Sequence, residues 1–89
     1  MTAKEMFEEL GFIETYEKDI MEEKCEYGEE GIIAYVSKND NGKYDGIIFT
    51  NSKKYDVEIW DGKHYVSSLI DVNLHKAIHQ QMKELGWLE

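Results

Sequence analysis

One helix-ending pattern occurs near both ends of this chain, and it constrains the fold more than any other feature. Residues 7–12 read FEELGF and residues 82–87 read MKELGW. In each, a leucine closes an apolar stripe, a glycine follows it, and an aromatic follows the glycine. A glycine at that place takes left-handed backbone and stops a helix, and the residue after it folds back on the last turn. The sequence therefore predicts two bracketing helices with the same stop. Everything between has to be arranged against them. The repetition is read as shared stop chemistry rather than as a duplicated module.

The second helix is the clearest element. Between Asp71 and Trp87, Leu74, Ala77, Ile78, Met82 and Leu85 recur at spacings of three and four and form one apolar stripe. Asp71 stands before the stripe, where its carboxylate can accept from the free N–H groups of the first turn. Trp87 is expected to pack on Met82. The first helix, from Thr2 to Gly11, has capping-box spacing between Thr2 and Glu5 and a shorter stripe of Ala3, Met6, Phe7 and Leu10.

The middle reads as strands and turns. Phe12 to Tyr16 suits a short strand, and the stretch to Tyr27 is read as completing a β-hairpin. Ile32 to Val36 and Asp45 to Thr50 are rich in β-branched and aromatic residues. Asn39-Asp-Asn-Gly42 and Asn51-Ser-Lys53 are turn clusters. Tyr55 to Trp60 and Lys63 to Val66 flank Asp61-Gly62, the signal for a two-residue hairpin loop. Such a loop pairs Trp60 with Lys63 and Ile59 with His64. The fold class that follows is α+β in a single domain over 1–89. It is an N-terminal helix, an antiparallel meander of about five or six strands and a C-terminal helix, with both helices on one face of the sheet.

Composition bounds the function. The chain is 42% hydrophobic, which is too apolar for a disordered acidic tail, and its formal net charge is −9. Every basic side chain other than histidine is a lysine. Nucleic-acid binding relies on basic patches and on arginine forks, so no nucleic-acid partner is expected. No apolar run reaches membrane-spanning length, so no membrane partner is expected either. The N-terminus lacks the apolar core of a signal peptide. The one cysteine, Cys25, sits among Glu22, Glu23 and Glu26, which disfavour a reactive thiolate. A reducing cytoplasm is the expected setting. No phosphate loop and no nucleophile elbow occur, and the chain is read as a non-enzyme without a cofactor.

Two sets of residues stand out as candidate sites. His75 and His79 lie four apart on the polar side of the C-terminal helix, the spacing at which two imidazoles share a metal ion. Lys76 stands where a metalloprotease helix carries glutamate, and two solvated histidines are the simpler reading. The other set comes from the strands, which are apolar on both sides. One layer of helices covers one face, so Tyr35, Ile33, Ile48, Trp60 and Tyr65 are the candidate partner-binding residues of the other.

The two ends also carry a resemblance. AKEMFEELGF from Ala3 to Phe12 and LHKAIHQQMKELGW from Leu74 to Trp87 resemble small uncharacterised proteins of phages and prophages in low-GC Gram-positive bacteria. In these, two helices bracket a variable strand-rich middle. The resemblance covers about a quarter of the chain and implies a source, not a mechanism. The leading expectation is an accessory protein that acts by protein–protein contact or self-association through a sheet face or edge. The alternatives are an acidic nucleic-acid mimic directed at a host defence or transcription protein, and a metal-binding protein using His75 and His79.

Overall fold

In the computed structural model the described residues are 1–16, 31–38, 44–60, 65–66 and 70–88. Two helices and an antiparallel sheet account for most of them. The first helix, α1, spans Ala3–Glu9. The strands follow as β1 (Ile13–Thr15), β2 (Gly31–Lys38), β3 (Tyr44–Thr50), β4 (Tyr55–Trp60) and β5 (Tyr65–Val66), and the second helix, α2, spans Val72–Glu84.

Both helices start and stop as their sequences predict. The Thr2 hydroxyl accepts from the Glu5 N–H at 3.2 Å, while the Thr2 N–H donates to Glu5 Oε1 at 3.0 Å. Asp71 Oδ1 accepts from the Leu74 N–H at 2.8 Å. At the far ends the same two bonds recur. Phe12 N–H reaches the Phe7 carbonyl at 2.9 Å and Gly11 N–H the Glu8 carbonyl at 3.0 Å. Trp87 N–H reaches Met82 at 3.0 Å and Gly86 N–H reaches Lys83 at 3.1 Å. Gly11 and Gly86 sit at φ 89° and 77°. This is the paired-bond ending that satisfies the last carbonyls of a helix.

The strands are ordered as they occur in the chain, β1-β2-β3-β4-β5, and every pairing is antiparallel. Four are strands of three residues or more. The last is a two-residue pairing of Ile59 with Val66 and Trp60 with Tyr65. Among the described residues the sheet thus has four strands of three residues or more, against the about five or six expected. The hairpin register also differs from expectation. Trp60 faces Tyr65 rather than Lys63, and Ile59 faces Val66 rather than His64. A shift of two keeps Ile59 and Val66 in one row of the sheet and Trp60 and Tyr65 in the next, because the strand period is two.

The core lies between the helices and one sheet face. Phe7, Tyr35, Phe49, Ile47 and Ile78 are its largest fully buried side chains. Phe7 stacks on Tyr35 with ring centroids 3.9 Å apart and meets Phe12 and Phe49 edge-on at 5.9 and 6.4 Å. Ile33, Val57, Leu74, Met82, Leu85 and Trp87 pack around this cluster. Alternation then assigns the faces. Ile33 pairs with Phe49 and Tyr35 with Ile47, so the odd-numbered residues of β2 lie under the helices. Ala34, Val36 and Ile48 belong to the other face, and they are buried as well. The two helices run antiparallel, with Ala3 beside Glu84.

Candidate functional site

The sequence placed five residues on one partner-binding face, and the structure separates them. Tyr35 is 1% exposed beneath α1 and α2, and its hydroxyl donates to Gln81 Oε1 at 2.5 Å. Burial pushes the phenol pKa well above its ordinary value, and the carboxylates of Glu14, Glu84 and Glu8 add to the shift. Ile33 shares that covered face and packs on the core. Both are corrections to the expected face: Tyr35 is closed off within the core, and Ile33 is partly buried against it. Ile48 is on the opposite face as expected, but at 2% exposure it too is inaccessible. The side chains of Trp60 and Tyr65 lie outside the described residues, as do Cys25, the expected hairpin beyond Tyr16 and the turn at 39–42.

The reason for the Tyr35 correction is Gln81. It falls seven residues after Leu74 and four after Ala77, inside the apolar stripe of α2, and it is buried. A buried amide needs a partner, and an aromatic hydroxyl from the sheet supplies one. A polar residue in an otherwise apolar stripe was the available signal for which face of β2 turns inward.

Exposed apolar side chains are scattered over the described residues, with Met1, Ile70 and Val72 near the helix starts and Ile13 and Tyr16 at the outer end of the sheet. Ile13 on β1 is 72% exposed, and Tyr16 just beyond it is 62% exposed. β1 pairs with β2 through Ile13–Val36, Glu14–Tyr35 and Thr15–Ala34. Ile13 therefore stands on the face away from the helices, and Glu14 on theirs. Tyr16 donates to Glu14 Oε1 at 2.6 Å, which raises the phenol pKa. A shallow groove of about 300 Å³ runs between α1 and this strand and is lined by Lys4, Glu8, Ile13 and Glu14. A second hollow of about 200 Å³, at the N-terminal end of α2, has Leu10, Phe12, Ile47, Val57 and Leu74 for walls and Asp45 and Asp71 among its lining.

His75 and His79 are both exposed on α2, and their ring centroids are 6.5 Å apart. Among the described residues no third histidine, cysteine or acid joins them in a metal-binding group. No helix among the described residues is long and apolar enough to cross a membrane. Compared with family models, with curated proteins and with solved structures, the chain gives no match.

Proposed function

We propose that this chain is a non-enzymatic accessory protein, of phage or prophage origin, that acts by protein–protein contact at the β1 edge of its sheet. The observation that carries this reading is Ile13, a large aliphatic side chain 72% exposed on the outermost described strand. An apolar anchor with a polar rim is the usual anatomy of a contact patch. Glu8 and Glu14 line the groove on which Ile13 borders. Together with the net charge of −9, they favour a partner that presents lysine or arginine around an apolar centre. The same charge opposes self-association, because two copies repel. The phage origin rests on the resemblance of the two helical ends.

The test is affinity capture from the lysate of a Gram-positive host, with Ile13→Lys run in parallel. A protein retained by the wild type and lost by the variant supports the assignment, provided both melt alike. Equal capture by both would remove β1 as the contact. A basic DNA-binding protein retained by both would turn the reading toward nucleic-acid mimicry.

A further inference from the structure

We propose that His75 and His79 form a two-imidazole site for a borderline transition-metal dication on the solvent face of α2. This assignment rests on α2 alone and is independent of the β1 contact. Both side chains are exposed, and their ring planes are inclined by 28° with centroids 6.5 Å apart. Two imidazoles bound through nitrogen to one ion at about 2.1 Å hold their ring centres roughly 4.5–5 Å apart. Rotamer adjustment of two solvent-facing side chains closes that gap without moving the helix backbone.

The helix supplies the chelate. Residues four apart lie one turn above the other on the same face, so the second imidazole is held at high local concentration beside the first. Lys76 lies between them in sequence and is exposed, so its charge is screened by water and salt. The acidic chain as a whole attracts dications. Imidazole ligands select copper(II), then nickel(II) and zinc, over magnesium and calcium, which take oxygen ligands. With two ligands from the protein, the remaining coordination positions are open to water or to a donor on another molecule.

The experiment is calorimetric titration of the tag-free full chain with nickel(II) chloride near neutral pH, in excess magnesium chloride. The comparison is the double variant K76H/H79K, which keeps the composition but moves the imidazoles to adjacent positions on different sides of the helix. The wild type is expected to bind one nickel ion and to melt at a higher temperature with it. The variant is expected to bind roughly tenfold or more weakly, as the second ligand leaves the first, and to show no nickel-dependent rise in melting temperature. H79A, which removes one ligand outright, is expected to lose affinity likewise. Equal affinity in wild type and K76H/H79K would overturn the site. So would displacement of nickel by magnesium, which marks diffuse binding to carboxylates.

Discussion

The carboxylate of Glu84 accepts the backbone N–H of Ala3 at 2.7 Å, across 81 residues of sequence. The first turn of α1 has N–H groups that its own helix leaves unpaired, and one of them is satisfied by the last turn of α2. Gln80 Nε2 donates to the same carboxylate oxygen at 2.9 Å and orients it. A negative charge there also opposes the positive end of the α1 dipole. Replacing Glu84 by Ala is expected to lower stability by about 1 kcal/mol, read from denaturant unfolding. Glu84→Gln keeps an acceptor and should recover part of the loss. Equal losses in the two variants would assign the effect to charge alone.

Tyr35 and Gln81 tie the sheet to α2 in the buried layer. Tyr35→Phe leaves the Gln81 amide oxygen without its donor, and the expected cost is about 1–2 kcal/mol. The double variant Y35F/Q81L removes both polar groups and should be more stable than the sum of the single losses. A double-mutant cycle that sums to zero coupling would contradict the bond.

The same tyrosine predicts an alkaline limit. Its folded pKa is raised above the ordinary value of 10.0, so the fold prefers the neutral phenol. Its contribution is fully present below pH 10 and is lost as the pH rises from there toward the folded value, while the unfolded chain ionises first. Melting temperature measured from pH 8 upward should fall more steeply in wild type than in Tyr35→Phe. Parallel curves would show that Tyr35 is not the group responsible.

The turn from β3 to β4 contains a correctable strain. Lys53 sits at φ 63°, in the left-handed region that a side chain disfavours. Thr50 closes this turn, with its N–H on the Lys54 carbonyl at 2.8 Å and its hydroxyl accepting from the Lys54 N–H at 3.3 Å. Lys53→Gly is expected to raise stability by about 0.5–1 kcal/mol, the relief of strain exceeding the added freedom of the unfolded chain. A lower melting temperature in that variant would mean that the lysine side chain holds the turn.

Gly86 and Gly11 offer the reverse experiment. A Cβ at Gly86 meets nothing within 4 Å, and one at Gly11 meets only Ser37 Oγ at 3.9 Å. Alanine at either position therefore fits sterically, and the cost is the left-handed backbone itself, about 1 kcal/mol each. The two losses should agree closely in denaturant titrations. A much larger loss at one would show that its helix end carries more than a stop.

Much of this fold was legible because its signals are local. The capping box of Thr2 and Glu5, the Asp71 cap and the two glycine stops are set by residues within one turn of each other. β2, β3 and β4 declared themselves by β-branched and aromatic runs. Which face of β2 is covered was not legible from the strand, since Ile33 and Tyr35 alternate with Ala34 and Val36 and both sets are apolar. The answer lay in α2, where Gln81 interrupts the stripe. The hairpin register differs from expectation because Asp61-Gly62 satisfies a two-residue turn locally, whereas the pairing that forms is Ile59 with Val66 and Trp60 with Tyr65. The candidate contact at Ile13 had no sequence signal of its own, because an isoleucine in a short strand reads as core until its neighbours are placed.

The meander order has a consequence for how the chain reaches its fold. Each strand pairs with its neighbour in sequence, and from β2 onward only a few residues separate one strand from the next, so that part of the sheet closes at low entropic cost. The helices do the opposite: α1 emerges first and its capping partner, Glu84, last. Until α2 is complete, Phe7, Tyr35 and Phe49 lack half of their cover. The vulnerable interval in the life of this protein is therefore the passage from sheet to closed sheet, when an aromatic face stands open to chaperones and proteases.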